Sequence, residues 1–234
     1  MIIDKEKIKA HIRPYEAKDR DAVRRICCDT GFMGDPVDEL FCDREIFADF
    51  FTSYYTDNEP ENAMVAEVDG EVIGYIIGCL KYKTYPFKQA MIVIRKTPKI
   101  IWRIISGQYD KQTLKFIKWF LTKANSETPD APKHAAHFHV NLLNDYRQGR
   151  IGRQVVFGYL AFLQNKKVPL IYGQIQTYEE NGRSHKVFER YGAELYDRRE
   201  ITKFKDFGKT GVYVSTIVID YRKKNFDEAN RIIT

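Results

Sequence analysis

Apolar and polar positions alternate along two adjoining runs of the chain, Ala63–Val68 and Glu71–Leu80. Alternation with a period of two is typical of half-buried strands. The Asp69-Gly70 pair between the runs favours the two-residue turn of a β-hairpin. The pattern therefore predicts two paired strands, within which Gly74 and Gly78 indicate a bulge or the close approach of another backbone.

Other parts of the chain follow helical or strand periods. Further strands are predicted at Ala10–Tyr15, from His137 onward, and at Pro169–Gln176, Ala193–Phe204 and Gly211–Tyr221. Helical spacing predicts a helix that Asp19 can cap, a helix from Asp43 to Tyr55, and a helix after Arg150. The last has a regularly spaced apolar face formed by Ile151, Val155, Val156, Tyr159, Leu160, Phe162 and Leu163.

A long segment between the third and fourth predicted strands, about 82–133, is helical in pattern. Helices are expected near Gln89–Arg95, Lys99–Ser106 and Asp110–Ala124, with lysines and arginines opposite an apolar face. A basic amphipathic helix of this kind can lie on a membrane. We favour the more ordinary interpretation, a helical cap over a substrate cleft, because long insertions beside active sites are usually functional.

The composition indicates one globular, well packed domain covering 1–234, since 44% of the residues are hydrophobic and 14% aromatic. No run of eighteen apolar residues is present, so we expect no membrane span and a cytoplasmic location. The four cysteines lack zinc-ligand spacing, and no metal site is predicted. The net charge of +6 arises from 38 basic residues spread among 32 acidic ones, which argues against nucleic acid as a partner.

The most informative stretch is His137–Arg153, which reads HFHVNLLNDYRQGRIGR. It predicts a strand, a polar break and a glycine-containing basic turn that opens a helix. Unpaired N–H groups at a helix start, the helix dipole and nearby arginines together favour an anion such as phosphate. The dinucleotide fingerprint and the Gly-Lys-Ser/Thr phosphate loop are both absent, which excludes the two commonest nucleotide sites.

A second motif lies downstream. Asn181–Ala193 reads NGRSHKVFERYGA, a short predicted helix ended by a glycine. Together the basic turn, its apolar helix, the next strand and Asn-x-x-Ser-x-x-x-Phe-x-x-x-Gly resemble the acetyl-CoA-binding core of the GNAT superfamily of N-acetyltransferases. The resemblance is strongest over Ala63–Ala193. It implies an α+β fold with a mixed, mostly antiparallel central sheet of six to seven strands, flanked by helices, with the helical segment as an insertion.

A narrower resemblance links the chain to the acetyltransferase-like domains related to the C-terminal part of O-GlcNAc hydrolases. It rests on Thr30-Gly31-Phe32, on Tyr75-Ile76-Ile77-Gly78 and on His137-Phe138-His139.

The GNAT resemblance implies where acetyl-CoA, the cosubstrate, would bind. The backbone of Leu142 and Leu143 would hold the pantetheine arm and polarise the acetyl carbonyl, and the N–H groups of the basic turn would hold the pyrophosphate. Further downstream, Asn181 and Ser184 would approach the arm, and Phe188 would pack against it. The turn residues concerned are Arg147, Gln148, Gly149, Arg150, Ile151, Gly152 and Arg153.

Two positions depart from the superfamily pattern. Arg150 occupies a glycine position of the phosphate turn, with Gly149 one place earlier, and Phe188 occupies the position of a tyrosine that often protonates the departing thiolate. Tyr191, three residues later, is the remaining candidate acid. A thiol with a pKa near 8.5 leaves acceptably as thiolate, so the missing acid does not exclude catalysis.

A general base must take the proton of the acceptor amine. His137 and His139 share one face of the predicted strand, and a histidine has a suitable pKa. Either can instead be a structural residue, and Glu67 is a further candidate. The expected reaction is direct attack of a primary amine of a small molecule or peptide on acetyl-CoA. A cofactor-binding pseudoenzyme and an interaction module on the same fold remain alternatives, and a homodimer is left open.

Overall fold

The computed structural model describes residues 10–147, 151–178 and 192–222. The strands are β1 (His11–Pro14), β2 (Ala63–Val68), β3 (Glu71–Cys79), β4 (Ala136–Leu142), β5 (Leu170–Tyr178), β6 (Glu194–Glu200) and β7 (Val212–Asp220). The helices are α1 (Arg20–Asp29), α2 (Arg44–Asn58), α3 (Tyr85–Ile105), α4 (Lys111–Thr122), α5 (Ala124–Glu127), α6 (Asn144–Arg147) and α7 (Ile151–Asn165).

The strands of the described ranges form one mixed sheet in the order β1-β2-β3-β4-β5-β7-β6. The pairs β1–β2, β2–β3, β5–β7 and β6–β7 are antiparallel. β4 and β5 are parallel and pair at Ala136 with Ile171 and at His137 with Tyr172. The predicted mixed sheet, its flanking helices and the helical insertion between the third and fourth strands are confirmed.

The chain divides into two compact units, one within Met1–Leu114 and His139–Leu163, the other within Lys115–Phe138 and Gln164–Thr234. In the first unit, α1 and α2 pack on β3, and the core includes fully buried Ile26, Ile46 and Ile76. In the second unit, β7 pairs with both β5 and β6, and Ser215 and Thr216 on it are fully buried. The sequence-based interpretation as a single domain stays a prediction.

The predicted hairpin is present and its turn has the expected backbone. Asp69 and Gly70 have φ values of 51° and 83°. Positive φ at both central residues matches the twist of the flanking strands and explains the Asp-Gly pair. Ala66 pairs with Gly74 while Glu67 pairs with Val72, so Ile73 is the extra residue of a β-bulge.

Asp19 precedes α1, but its side chain does not cap that helix as predicted. The carboxylate instead accepts hydrogen bonds from both terminal nitrogens of Arg13, at 2.7 and 2.9 Å, and from the N–H of Glu16 at 2.9 Å. The hydrogen bonds from Arg13, together with that from Glu16, hold the pKa of Asp19 below its usual value despite burial. A charged partner on β1 therefore outcompetes the helix end for this carboxylate.

The insertion begins with one long helix where the sequence predicted two. α3 runs through Pro98 without a break. Proline lacks the N–H that would bond to the carbonyl of Ile94 and normally disrupts a helix interior. Here the Thr97 Oγ1 donates to Val93 O at 2.8 Å beside the gap, and several ion pairs hold both halves of the helix to α2.

A buried carboxylate fixes the point where the chain leaves β3. Glu59 has no exposed surface. It accepts hydrogen bonds from Tyr54 Oη at 2.6 Å, Asn62 Nδ2 at 2.7 Å and the N–H groups of Leu80 and Lys81 at 2.8 and 3.2 Å. A buried charge is tolerable because donors surround it.

Within the described ranges, no helix combines the length and the apolar character needed to span a bilayer.

Candidate active site

The end of β4 lies directly against β3 because a glycine faces it. A Cβ built on Gly74 would come within 2.2 Å of Leu142 Cδ2 and 2.9 Å of Asn141 O. Contacts between carbon atoms are normally 3.5–4.0 Å. Of the two predicted reasons for this glycine, the close approach of another backbone holds, and the bulge lies one residue away at Ile73.

The bulge engages one of the two backbone groups predicted to polarise an acetyl carbonyl. The N–H of Leu143 donates to Ile73 O at 2.9 Å. Leu143 is thereby held in place by β3, and its N–H already has an acceptor within the protein. The side chain of Leu142 is buried and forms the wall that Gly74 makes room for.

Arg147 connects the end of β4 to the loop after α1. Its Nε donates to Leu142 O at 2.9 Å, and its guanidinium lies so close to Gly34 that a side chain there would collide with it. Burial lowers the pKa of the Arg147 guanidinium, against the opposing influence of the charge on Asp35. The cation is therefore held in a half-buried position just before the predicted phosphate turn.

The helix after that turn begins as predicted. α7 starts at Ile151, which is buried, while Arg153 and Gln154 are exposed. A Cβ built on Gly152 would meet only Leu142 Cδ1, at 3.4 Å. The first turn of a helix has N–H groups without intrahelical acceptors and carries partial positive charge. Gln148, Gly149 and Arg150 lie outside the described residues.

The two histidines of β4 differ in their surroundings. His137 is buried and its ring lies 5.3 Å from that of Tyr172, centroid to centroid. This packing favours the structural role for His137, and its role as a base stays a prediction. His139 is exposed, so it is the better placed candidate base.

His139 has an exposed side chain, although protein atoms surround its ring. Desolvation by the surrounding protein lowers the pKa of His139 to about 4, and water at the exposed edge of the ring limits this lowering. The imidazole is therefore neutral at pH 7. A neutral imidazole has the protonation state that a general base requires.

An aromatic ring from α2 packs on His139, and a ring from α3 packs on that aromatic ring. Tyr55 meets the imidazole edge-on, with 5.2 Å between centroids and 73° between planes. Tyr85 lies 6.2 Å from Tyr55, and Tyr54 meets Tyr85 edge-on at 4.7 Å. Sequence analysis did not single out Tyr55 or Tyr85. The signal in the sequence that could have indicated Tyr55 is the regular spacing of aromatic residues along α2.

The loop between α1 and α2 is attached to the same strand. Asn141 Nδ2 donates to Thr30 Oγ1 at 2.7 Å, and Thr30 in turn donates to Ile26 O at 2.7 Å. Asn141 continues the face of His139 by the alternation of a strand. The chain of bonds fixes the orientation of this face relative to α1.

Glu67, the other candidate base, is engaged elsewhere. Its carboxylate accepts from Arg13 Nε at 2.9 Å, and the same arginine binds Asp19. Arg13 therefore links the carboxylates of Glu67 and Asp19.

The remaining predicted site residues lie outside the described residues. They are Asn181, Ser184, Phe188 and Tyr191, and their roles stay predictions.

The fold is that of the GNAT acetyltransferases. The crystal structure of SsHAT is similar to this chain with a TM-score of 0.56 and 21% sequence identity, over 91% of this chain and 98% of that one. A putative acetyltransferase from Salmonella typhimurium, yncA, solved with its cofactor acetyl-CoA, gives 0.54 and 12% over 92% and 95%. A polyamine N-acetyltransferase from Drosophila melanogaster, which forms N-acetylagmatine, gives 0.53 and 13% over 91% and 100%.

No protein-family model matches the sequence, and no curated protein matches it. Identities of 12–21% between this chain and these structures show a shared fold. The predicted GNAT fold is thereby confirmed. The narrower resemblance to domains related to O-GlcNAc hydrolases stays a prediction.

Proposed function

We propose that this protein is an N-acetyltransferase that moves the acetyl group of acetyl-CoA to a primary amine of a small molecule or peptide. The observation that carries the proposal is the arrangement of β4 and α7 in the first unit. Gly152, in the first turn of α7, lies within reach of Leu142 at the end of β4, and His139 lies earlier on the same strand. The proposed anion site and the proposed base would thus lie on α7 and β4, with the short helix α6 between them in sequence. The yncA structure was solved with acetyl-CoA, which supports this choice of cosubstrate.

The pyrophosphate of acetyl-CoA would bind at the start of α7. Backbone N–H groups of the first turn point out of the helix, and the helix dipole favours two negative charges there. Arg147 and Arg153 would add positive charge on either side. The sequence places Gln148, Gly149 and Arg150 in the same turn, and their participation is part of the proposal. The N–H of Leu142 remains the proposed donor to the acetyl carbonyl, since that of Leu143 is engaged by Ile73.

The reaction would proceed by direct attack in a ternary complex. The amine nitrogen forms a bond to the thioester carbon, the C–S bond breaks, and coenzyme A leaves as thiolate. His139 takes the proton that the amine loses, directly or through a water molecule. A thiol pKa near 8.5 makes the thiolate an acceptable leaving group. Tyr191 is the proposed source of a proton for the thiolate, because Phe188 has none to give.

Acceptor chemistry follows from charge and from the rings around His139. A neutral imidazole next to Tyr55 favours an uncharged amine in the reactive position. The net charge of +6 disfavours polycationic acceptors, so an amino acid, amino sugar, small amine or peptide amine is preferred. A cytoplasmic location and a homodimer remain expectations from the sequence.

Calorimetric titration with acetyl-CoA tests the cofactor site. Gly152→Glu adds a negative charge to the first turn of α7 in space that the fold leaves open. At about 8 Å from a phosphate charge and an effective dielectric near 20, the repulsion is about 2 kcal/mol, or roughly 30-fold in affinity. The same charge should stabilise the helix, since acidic residues favour helix N-termini.

A matched control lies in the same helix. Gly158 is exposed, and a Cβ there would meet only Ile12 Cδ1 at 4.0 Å. Gly158→Glu places the same charge about 9 Å farther along α7 and should bind acetyl-CoA like wild type. Folded wild-type protein that does not bind acetyl-CoA would refute the proposal. Binding without thiol release on any amine of a screen would instead favour the pseudoenzyme.

A further inference from the structure

Helix α3 is attached to the protein by its polar side. Its contacts to α2 include a hydrogen bond from Gln89 Nε2 to Phe50 O at 2.9 Å and ion pairs of Lys96 with Asp49, Lys99 with Glu45 at 2.6 Å, and Arg103 with Asp43. At the start of the helix, Tyr85 also packs on Tyr54 and Tyr55. Surface helices normally turn an apolar stripe to the core and their charges to water. Along most of α3, polar side chains make the contacts to α2 instead.

The outer face of α3 is consequently apolar and exposed. Phe87 is 71% exposed, Trp102 65% and Ile105 75%. No residue of α3 is buried. The exposed large apolar side chains of the helix are Phe87, Ile94, Ile101, Trp102, Ile104 and Ile105. An apolar stripe of this extent on a surface marks an interaction site.

The charges beside this stripe have one sign. From Val72 to Tyr109 the chain contains seven lysines and arginines and no acidic residue. Three of the seven pair with carboxylates at or in α2, and Lys81 pairs with Glu61. The other three have no ion pair among the described residues. Lys88 donates to the amide oxygen of Asn58 at 2.6 Å, and Lys83 and Arg95 are exposed. Lys88 and Arg95 are seven residues apart and thus share one flank of the helix.

We propose that the outer face of α3 binds the surface of an anionic phospholipid bilayer, with the helix lying in the plane of the membrane. The apolar side chains would enter the interface between headgroups and acyl chains, and Lys83, Lys88 and Arg95 would contact anionic headgroups. Trp102 is of the residue type enriched at that depth. At 21 residues the helix is about 31 Å long, enough to present all six apolar side chains at once. This proposal is independent of the acetyltransferase activity.

Charge argues for a lipid surface and against a second copy of this chain. α3 has no carboxylate that could meet Lys88 or Arg95 of another α3. Two copies meeting through this face would therefore bring like charges together without compensation. An anionic bilayer supplies the opposite charge along the whole helix.

Vesicle binding of the full-length protein tests the proposal. The chain has two tryptophans, and Trp119→Phe leaves Trp102 as the only one. With vesicles of phosphatidylcholine containing 30% phosphatidylserine, we expect a blue shift of Trp102 emission and co-flotation of the protein. With pure phosphatidylcholine, or at 0.5 M salt, binding should fall by at least roughly tenfold.

Two sets of variants separate the apolar from the electrostatic contribution. Trp102→Ser/Ile105→Ser should reduce binding at least roughly 30-fold, while the control Leu195→Ser/Tyr196→Ser, equally exposed on β6, should not. The triple variant Lys83→Gln/Lys88→Gln/Arg95→Gln should lose roughly 100-fold, about fivefold for each charge. Its control removes three exposed cations elsewhere, by Lys18→Gln, Arg25→Gln and Lys205→Gln.

Three outcomes would overturn the proposal. The first is no flotation of folded wild-type protein with anionic vesicles. The second is an equal loss of vesicle binding in the α3 variants and in their controls, which would indicate nonspecific binding. The third is a dimer in light scattering that Trp102→Ser/Ile105→Ser dissociates, without vesicle binding, since this would assign the face to a second copy.

Discussion

Gly74→Ala is the substitution that most directly links the fold to the candidate active site. The added Cβ would lie 2.2 Å from Leu142 Cδ2, 3.1 Å from its Cγ and 2.9 Å from Asn141 O. A rotation of the Leu142 side chain can relieve the first two contacts. The third involves the backbone of β4 and can be relieved only if the strand moves.

The cost can be estimated from these contacts. Overpacking of a buried site by one methyl group costs roughly 1–3 kcal/mol, and the backbone contact places Gly74→Ala at the upper end, about 3 kcal/mol. Leu142→Ala alone should cost about 2–4 kcal/mol through the cavity it leaves. The double variant should lose about 1–2 kcal/mol less than the sum, because the shortened side chain makes room for the new methyl group.

Denaturant unfolding of the wild type, Gly74→Ala, Leu142→Ala and the double variant measures the loss of stability. Calorimetric titration with acetyl-CoA measures the effect on the candidate site. We expect Gly74→Ala to weaken acetyl-CoA binding at least roughly tenfold, since it displaces the end of β4 on which the site is built. Gly158→Ala is the control. Its Cβ lies in open space within α7, so it should stabilise the protein by about 0.5–1 kcal/mol.

A Gly74→Ala protein with wild-type stability and wild-type affinity would refute the reasoning. The reasoning would also be refuted if the double variant lost as much stability as the two single variants together. The close approach of Leu142 would then not be the cause of the destabilisation by Gly74→Ala.

Three further predictions concern named groups. His139→Gln should lower kcat by roughly 10²–10⁴-fold with unchanged acetyl-CoA affinity. Because the pKa of His139 is lowered to about 4, the kcat of the wild type at saturating substrate should show no inflection from this group between pH 5.5 and 8. An inflection in that range that is lost in His139→Gln would contradict this. Burial raises the pKa of Asp43, but hydrogen bonds from Arg103, Tyr109 and Ile46 outweigh this effect and hold the pKa below its usual value. The ionised Asp43 therefore stabilises the folded protein fully above pH 4, and this stabilisation disappears as the pH falls through the folded-state pKa. Acid titration followed by circular dichroism should show this pH dependence in the wild type and not in Asp43→Asn. Glu59→Ala should lower the free energy of unfolding by at least about 4 kcal/mol, since it leaves several buried donors without an acceptor. The control Glu61→Ala removes an exposed carboxylate and should change the free energy of unfolding by less than about 1 kcal/mol. Equal losses of stability in the two variants would refute the role of the buried network.

The parts of the fold that depend on neighbouring residues alone were predictable. The Asp69-Gly70 turn is one case, because its positive φ values are a local requirement that the Asp-Gly pair meets. The start of α7 at Ile151 is another, since the apolar spacing that follows is regular.

The sequence-based predictions were wrong where contacts with residues distant in sequence determine the local structure. Asp19 was predicted to cap α1, but Arg13 on β1 takes its carboxylate. Separate helices were predicted near Gln89–Arg95 and Lys99–Ser106, whereas α3 continues through Pro98, with Thr97 and the ion pairs to α2 beside it. Local rules gave both predictions, and tertiary contacts overrode them.

The candidate site shows the same limit. Alternation placed His137 and His139 on one face, but only the structure shows that His137 is buried against Tyr172 while His139 is exposed beside Tyr55. Likewise, the N–H groups of Leu142 and Leu143 were both predicted to polarise the acetyl carbonyl. The N–H of Leu143 instead donates to Ile73 O in the bulge. Neither distinction is encoded by residues adjacent in sequence.

Glu59 has a consequence for protein engineering. It accepts from the N–H groups of Leu80 and Lys81, so the direction in which the chain leaves β3 is set by α2 and its end, before the insertion begins. The end of β3 is therefore fixed independently of the insertion that follows it. A segment of different length or purpose could be grafted after Lys81 without redesigning the strand that precedes it.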